Sequence, residues 1–157
     1  MIRTGLGFDA HAFDESRPLL LGGVTIPDSP GLAGHSDADA LSHAIADAIL
    51  GAAALGDLGN RFPATSEWAG ASSLDILREC AKAVAGAGWK VVNVDATVVA
   101  EHPRLAAHRE EMVANLASAL DLSTEQVSVK ATTTDGMGFT GRGEGISALA
   151  IVTISAD

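Results

Sequence analysis

The sequence predicts an α/β fold, an α+β sandwich in which one mixed β-sheet packs against helices. Three observations predict it: β-rich runs alternate with segments of helical periodicity, capping patterns precede the helical segments, and no repeat, low-complexity tract or linker divides the chain. The 157 residues are enough for one domain, 1–157, with a buried core.

The predicted strands begin at the N-terminus and end near the C-terminus. Each is a short run rich in aliphatic or β-branched residues, bounded by Gly, Pro or polar residues. A glycine-rich segment, 136–145, joins the last two, and 27–34 is predicted to be a loop. The predicted strands are 2–8, 19–26 as a strand or a hairpin around Gly22-Gly23, 91–100, 127–133 and 146–154.

Three helices are predicted, each from its own start signal. A capping-box pattern at Ser36 and Asp39 opens a helix over about 38–55, which Gly56 ends. Residues 57–70 are predicted to be irregular and are numerous enough to have a function. The other two helices run from the capping pattern of Ser72 and Asp75 to about residue 85, and from Pro103 to about residue 120.

Composition excludes several classes of function. A formal net charge of −10 disfavours nucleic acid as a partner, because no basic stripe exists to neutralise phosphates. The N-terminus lacks the basic and apolar run of a signal peptide, and no uncharged apolar stretch approaches the length of a membrane span. Cys80 is the only cysteine and cannot form an internal disulfide, which fits a reducing cytoplasm. It is predicted to be a small core residue.

Asp9, His11 and His43 are the strongest candidates for chemistry. Asp9 and His11 lie two apart in an extended segment, so their side chains share a face. With His43 from the following helix they form the ligand set of a catalytic zinc ion, and three protein ligands leave a fourth position open. The pattern alone leaves a second possibility for His43, a histidine whose role is structural.

Polar residues around His43 have alternative interpretations. Asp39 and Asp47 lie on its helix face, where either could accept the second ring proton of the imidazole; otherwise Asp39 caps the helix and Asp47 is solvated. His35 and Ser36 precede the same helix, where free N–H groups favour an anion. Ser36 is also a plain N-cap candidate, whereas a polar contact with a ligand is favoured for His35.

Two segments near the C-terminus also suggest ligand binding. The run of threonines at 132–134, followed by Asp135, is typical either of phosphate and divalent-ion contacts or of an ordinary strand. Five glycines within 136–145 indicate backbone close to a ligand or a neighbouring subunit, with a flexible turn as the alternative. Arg142 could grip a phosphate or pair with Glu144.

These motifs together resemble the 2-C-methyl-D-erythritol 2,4-cyclodiphosphate synthase family of the non-mevalonate isoprenoid pathway. The resemblance runs from about residue 3 to residue 154, with the motifs in the same order. They are Phe8-Asp9-x-His11, His35-Ser36-Asp37-x-Asp39, 52–59 (AAALGDLG), 130–134 (KATTT) and 138–145 (GFTGRGEG).

The resemblance implies a lyase that converts 4-diphosphocytidyl-2-C-methyl-D-erythritol 2-phosphate to 2-C-methyl-D-erythritol 2,4-cyclodiphosphate and CMP. The 2-phosphate attacks the β-phosphorus within the substrate. The resemblance assigns zinc to Asp9, His11 and His43, with a β-phosphate oxygen in the open position. It assigns a second divalent ion, magnesium or manganese, to Asp135. It assigns stabilisation of the transition state to His35 and Thr133.

The resemblance also implies a homotrimer with active sites at subunit interfaces. Phe139 and Arg142 would lie with Glu144 near the threefold axis, where an isoprenoid diphosphate is a possible ligand. Besides the metal ligands, His35 and Ser36, the expected substrate-binding residues are Asp57, Leu58 and Gly59 for methylerythritol, and Ala100, Pro103, Arg104, Leu105, Ala106, Ala131, Thr132, Thr133 and Thr134 for cytidine.

The chain departs from the family pattern at several positions. Ala64 and Ser66 stand where the family commonly has carboxylates, Asp135 where Glu is common, Arg104 for a frequent Lys, and Ala38 for a usual Gly. Two rival functions stay open: a zinc hydrolase using Asp47 or Asp57 as a base, and a non-catalytic trimer that binds isoprenoid diphosphates.

Overall fold

A computed structural model describes residues 1–156 and confirms a mixed β-sheet packed against helices. The sheet has five strands in the spatial order β4-β1-β7-β5-β6, and a separate two-stranded hairpin is made by β2 and β3. The strands are β1 (Ile2–Asp14), β2 (Leu19–Leu21), β3 (Val24–Ile26), β4 (Gly31–Leu32), β5 (Lys90–Val99), β6 (Val127–Thr132) and β7 (Gly145–Ser155).

Three longer helices and two single turns accompany the sheet. Three short 3-10 turns are also present. One precedes the helix that begins at Arg109, one precedes strand β6, and one lies within the 57–70 segment. Within residues 1–156, no helix is both long and apolar enough to cross a membrane. The helices are α1 (Ala40–Ala52), α2 (Leu58–Arg61), α3 (Ser73–Gly86), α4 (Arg109–Leu120) and α5 (Gly138–Gly141).

The strand directions decide which loops meet. β7 pairs antiparallel with both β1 and β5, whereas β5 and β6 are parallel and are connected through α4. Because parallel strands end at the same edge, Val99 and Thr132 are direct partners at the ends of their strands. The segment after β5 therefore begins beside the threonine segment after β6.

Helix α1 lies unusually close to strand β1 because glycines face it. A Cβ atom on Gly5 would come within 2.0 Å of the Ala48 carbonyl oxygen, and one on Gly7 within 1.9 Å of the Ala44 carbonyl oxygen. Both glycines are buried. The helix thus rests directly on the strand backbone, and no larger residue fits between them.

Asp39 fixes the start of α1. One carboxylate oxygen accepts from the backbone N–H of Ser42 at 3.0 Å, and the carboxylate also accepts from the N–H groups of Gly22 and Gly23 in the hairpin. Burial raises the pKa of Asp39, although these hydrogen bonds oppose the shift. The cap therefore ties the β2–β3 hairpin to the helix.

The predicted capping box at Ser36 and Asp39 is wrong. Asp39 is the N-cap, α1 covers 40–52 instead of 38–55, and Ala38 has a φ of 58° that prevents an earlier helical start. The hydroxyl of Ser36 lies instead beside the imidazole of His43. The departure from Gly at position 38 thus places an alanine in a left-handed conformation.

Other boundaries also differ from the sequence predictions. β1 extends to Asp14, β4 forms within the predicted loop 27–34, and α2 forms within the predicted irregular segment. The helix predicted from Pro103 begins only at Arg109. Proline favours a helical first turn and a loop turn alike, so it did not locate this boundary. The capped start at Ser72, the core position of Cys80 and the positions of β5, β6 and β7 are confirmed.

The sheet face that points away from α1 carries exposed apolar side chains. Leu6 and Phe8 are 66% and 54% exposed, and they lie opposite Ile151 and Leu149 of the neighbouring strand. Ile2 is 73% exposed. A contiguous apolar patch of this kind is typical of a surface that another molecule covers.

We predict that Gly7→Ala lowers the free energy of unfolding by about 3 kcal/mol, the upper end of the cost of overpacking. The added methyl group would collide with the Ala44 carbonyl and force α1 away from β1. Urea denaturation of the metal-free protein measures the change.

Gly51→Ala is the matched control, because Gly51 lies in α1 with open space around its Cα. Its stability should stay unchanged or rise by up to about 1 kcal/mol, the helix-propensity gain of alanine. Equal stability of the two variants would contradict the close approach of α1 to β1.

Candidate metal centre and cleft

Strand β1 and helix α1 bring Asp9, His11 and His43 together, as the sequence predicted. Asp9 Oδ2 lies 2.8 Å from His11 Nε2 and 3.0 Å from His43 Nδ1. The two imidazole nitrogens are 3.4 Å apart. The three side chains form the one group of potential metal ligands found among the described residues.

These distances fit a tetrahedral metal ion. Ligand bonds of about 2.0 Å place neighbouring ligand atoms about 3.3 Å apart in a tetrahedron. The three measured separations bracket that value. Two neutral imidazoles and one carboxylate are also the donor types that borderline divalent metals accept, so the residues present fit a metal ion.

The protonation of the cluster favours ligation by Asp9. Burial raises the pKa of Asp9, but the hydrogen bonds and charges of His11 and His43 outweigh burial and lower it to about 2. Burial lowers the pKa of His11, and interaction with Asp9 more than restores it, so the net shift is upward. The carboxylate is therefore ionised at any physiological pH, and its charge attracts either protons or a cation to the imidazoles.

Each histidine has a second partner behind the cluster. His11 Nδ1 lies 2.6 Å from the Ala33 carbonyl oxygen, which can only accept a hydrogen bond. His43 Nε2 lies 2.8 Å from Ser73 Oγ and 3.1 Å from Ser36 Oγ. For His11, the proton on Nδ1 leaves the lone pair of Nε2 facing the cluster.

Neither Asp39 nor Asp47 accepts the second ring proton of His43, which was the first of the two sequence interpretations for these carboxylates. Asp39 caps α1, and Asp47 Oδ1 accepts from the backbone N–H of Leu58 at 2.9 Å, which holds α2 against α1. The sequence missed Ser73 because it lies 30 residues away, at the start of α3. No local pattern connects a helix start to a distant imidazole.

A cleft of about 180 Å³ opens beside the cluster. His35 lies at this cleft, and its Nε2 is 2.5 Å from the Thr65 carbonyl oxygen. Asp57 caps α2, with a carboxylate that accepts from the N–H of Asn60. The lining residues include His11, His35, Ser36, His43, Leu58, Gly59, Ala64 and Trp68, so the structure brings most of the expected methylerythritol residues to the candidate metal centre.

Arg17 holds the segment that carries His35 and Ser36. Its guanidinium donates to the carbonyl oxygens of Gly34, at 2.5 Å, and of Ser36. No sequence pattern indicates this contact, because Arg17 lies in a turn between two strands and its partners are backbone atoms.

A second cavity, a groove of about 520 Å³, lies at the ends of β5 and β6. It shares no lining residue with the cleft at the metal centre. Its lining comprises residues 100–106 and 131–133, which include the expected cytidine residues Ala100, Pro103, Arg104, Leu105, Ala106, Ala131, Thr132 and Thr133.

Glu101 connects the two halves of this groove and was missed by the sequence analysis. Its Oε1 accepts from the N–H of Thr134 at 2.9 Å and of Gly136 at 3.3 Å. The bond from Thr134 lowers the pKa of Glu101 most, with smaller contributions from Gly136 and from the hydroxyl of Thr134. The carboxylate therefore fixes the turn that carries Thr133 and Asp135.

The remaining predicted residues lie after β6. Thr133 and Asp135 are exposed, with Thr133 Oγ1 donating to Asp135 Oδ1 at 3.4 Å. Asp135 does not join the Asp9, His11 and His43 cluster within one subunit. Phe139 is exposed, and Arg142 Nε donates to Glu144 Oε1 at 2.9 Å, so the pairing alternative for Arg142 is observed within the chain.

The fold and the cluster define an α+β enzyme with a candidate metal centre beside a cleft. The chain belongs to the YgbB family, whose model matches residues 2–155. It is 56% identical over 154 residues to the 2-C-methyl-D-erythritol 2,4-cyclodiphosphate synthase of Syntrophomonas wolfei, with 98% of each chain covered, and 53% identical to that of Alkaliphilus oremlandii, with the same coverage. The family expected from the motifs is confirmed, and the protein is an enzyme, a lyase.

Solved structures show the same fold. The bifunctional IspDF of Campylobacter jejuni matches with a TM-score of 0.96 and 44% identity, over 100% of this chain and 43% of that one. The CDP complex of IspF from Plasmodium falciparum matches with a TM-score of 0.86 and 31% identity, over 99% and 97% of the two chains. A CDP-bound 2C-methyl-D-erythritol-2,4-cyclodiphosphate synthase matches with a TM-score of 0.89 and 34% identity, over 98% and 100%.

We predict that Glu101→Gln loosens the 133–136 turn without unfolding the protein. The amide keeps one acceptor oxygen but loses the charge that strengthens both backbone bonds. Amide exchange at Thr134 and Gly136, followed by NMR, should accelerate about three- to tenfold. Glu110→Gln, on the exposed side of α4, should leave both rates unchanged; equal rates in all three proteins would show that Glu101 does not hold the turn.

Proposed function

We propose that the chain converts 4-diphosphocytidyl-2-C-methyl-D-erythritol 2-phosphate to 2-C-methyl-D-erythritol 2,4-cyclodiphosphate and CMP. The attack of the 2-phosphate on the β-phosphorus closes the ring and expels CMP. The observation that supports it most is the convergence of Asp9, His11 and His43 beside a cleft, in a chain that is 56% identical over almost its full length to a synthase of this name.

The protein's main contribution is charge and position. The nucleophile is an ionised phosphate that needs no general base, and its place in the substrate makes the attack intramolecular. Asp9, His11 and His43 would hold zinc and Asp135 magnesium or manganese, and the bound ions supply positive charge that a protein of net charge −10 otherwise lacks. Asp135 offers one carboxylate, which suits magnesium because substrate phosphates and water complete its shell.

Side chains around the cleft would position the reacting groups. His35 is held by its bond to the Thr65 carbonyl oxygen, and Arg17 holds the same segment from the other side. The Nε2–H of His35 donates to Thr65, so His35 would donate to the phosphates from Nδ1 as an imidazolium. Thr133 would donate from its hydroxyl as charge redistributes in the transition state. Asp57, Leu58 and Gly59 bind the methylerythritol part, although Ala64 and Ser66 contribute no carboxylate there.

The groove at 100–106 and 131–133 would bind cytidine, with Thr134 next to it in the chain. Its volume of about 520 Å³ lies within the range typical of small-molecule sites. Arg104 brings a positive charge to one wall, and Thr132 and Thr133 bring hydroxyl groups to the other. Two relatives of known structure are complexes with CDP, which supports a cytidine nucleotide here.

A homotrimer would complete the active site. Within one subunit the groove and the metal centre are separate cavities, yet the substrate must reach both. The exposed apolar patch of Leu6, Phe8, Leu149 and Ile151 offers a surface for neighbouring subunits to cover. A groove from one subunit would thereby meet the metal centre of the next.

Three further proposals follow from the same assignment. Phe139, Arg142 and Glu144 would lie near the threefold axis, where an isoprenoid diphosphate is the proposed ligand. Residues 1–157 act as a single synthase domain. The protein works in the cytoplasm, where its nucleotide substrate would be made.

The products of the reaction test the proposal. Incubation with the diphosphocytidyl substrate, zinc and magnesium should yield CMP and the cyclic diphosphate in equal amounts, resolved by ³¹P NMR. CMP with the open 2,4-bisphosphate, which carries two separate monophosphates, would instead indicate a hydrolase that delivers water to the β-phosphorus. An inactive protein that retains an isoprenoid diphosphate and no metal would indicate a non-catalytic binding protein.

His43→Ala in the same assay should abolish both turnover and zinc retention, measured by mass spectrometry of the metal, while the oligomer persists. His108→Ala, a histidine outside the cluster, should keep full zinc content. Activity in a His43→Ala protein that is free of zinc would contradict the ligand assignment.

We predict that Phe8→Glu converts the trimer to monomers of about 15.9 kDa. A charge in the middle of the apolar patch would be buried without a partner on assembly. Light scattering after size-exclusion chromatography gives the mass. Thr25→Glu, an exposed position in the hairpin, should remain trimeric; a trimeric Phe8→Glu protein would place the interface elsewhere.

A further inference from the structure

The far side of the His43 ring faces two serine hydroxyls with different partners. Ser73 Oγ lies 2.8 Å from His43 Nε2, and Ser36 Oγ lies 3.1 Å from the same atom. One ring nitrogen therefore has two hydroxyl neighbours, and either a hydroxyl donates to it or it donates to a hydroxyl. The choice decides which nitrogen of the ring carries the proton.

Ser73 has already committed its hydroxyl hydrogen. Its Oγ donates to Asp37 Oδ1, and its backbone N–H donates to Asp37 Oδ2 at 3.0 Å. Ser73 is fully buried at the first position of α3, so solvent does not compete for the hydroxyl hydrogen, and the ionised carboxylate of Asp37 is a stronger acceptor than a neutral imidazole nitrogen. Its oxygen can thus only accept from His43, which requires the proton on Nε2.

Ser36 lacks such a constraint. Its Oγ accepts from the backbone N–H of Ala38 at 3.2 Å, and no carboxylate within residues 1–156 accepts its hydroxyl hydrogen. The side chain lines the cleft at the metal centre, so the hydroxyl can also turn toward a ligand there. If Ser36 donated to Nε2, the proton would move to Nδ1, which faces Asp9 Oδ2 at 3.0 Å.

We infer that Ser73, oriented by Asp37, is the positioning residue that holds His43 in the Nε2–H tautomer and so directs its Nδ1 lone pair at the metal. The inference rests on the zinc site of the proposed function. Asp37, Ser73 and His43 form a continuous chain of hydrogen bonds from the start of α3 to the cluster. A neutral carbonyl oxygen serves the same purpose for His11, but only His43 has an ionised carboxylate at the end of its chain.

Zinc affinity without substrate tests the inference. We expect Ser73→Ala to weaken zinc binding about 10- to 100-fold, the usual effect of losing a group that orients a metal ligand. Asp37→Asn should act in the same direction, because the hydroxyl and the backbone N–H of Ser73 use different oxygens of Asp37, and asparagine replaces one of them with an NH2 group that cannot accept. Ser36→Ala should change the affinity less than about threefold, since its hydroxyl does not fix the proton. Competition with a chromogenic chelator gives the constants, and circular dichroism checks that each variant is folded.

A measurement on the unmodified protein needs no variant to fold. Long-range ¹H–¹⁵N NMR of the zinc-loaded protein should show His43 with a protonated Nε2 and a coordinated Nδ1. Coordination through Nε2, or zinc affinity in Ser73→Ala equal to that of the unmodified protein, would overturn the inference. Failure of the unmodified protein to bind zinc would instead overturn the proposed function, so the two failures are distinguishable.

Discussion

The close approach of α1 to β1 is the constraint on which the candidate metal centre depends. Gly5 and Gly7 leave no side chain between strand and helix, so the backbone of α1 rests on the backbone of β1. Only at this spacing does a histidine on the helix reach a carboxylate and an imidazole on the strand within 3.4 Å. A bulkier residue at either glycine would widen the spacing by more than the tolerance of a metal–ligand bond.

Hydrogen bonds from segments distant in sequence orient the side chains that this spacing brings together. Carbonyl, hydroxyl and carboxylate groups of residues 33, 73 and 37 settle the ring protons, and Arg17 holds the backbone that carries His35 and Ser36. At the second cavity, the Glu101 carboxylate holds the turn after β6 by accepting from its backbone N–H groups. Arg17 and Glu101 both act by binding backbone carbonyl or N–H groups of a segment distant in sequence.

The sequence predicted the candidate metal ligands better than the residues that hold the site in place. Asp9 and His11 share a face because side chains alternate along a strand, which is a local property. The pattern leaves His43 open between a ligand and a structural histidine, and the resemblance to the family assigns it as a ligand. Ser73 and Glu101 act across 30 residues or more, and nothing in a neighbouring residue indicates such a contact. The capping box at Ser36 failed for a related reason: Ala38 takes a left-handed conformation and α1 starts later, so the hydroxyl meets His43 instead of the helix N–H groups.

Because β5 and β6 are parallel, the loops that follow them build one groove together, and the candidate metal centre is built from other elements. The candidate metal ligands lie on β1 and α1, whereas the groove proposed for cytidine is built from loops that follow β5 and β6. Substitutions in those loops leave the glycine contacts and the hydrogen bonds of the candidate metal centre in place. Under the proposed function, nucleotide recognition and the chemistry at phosphorus can thus change independently during evolution, and the proposed trimer would bring the two together, one subunit contributing each.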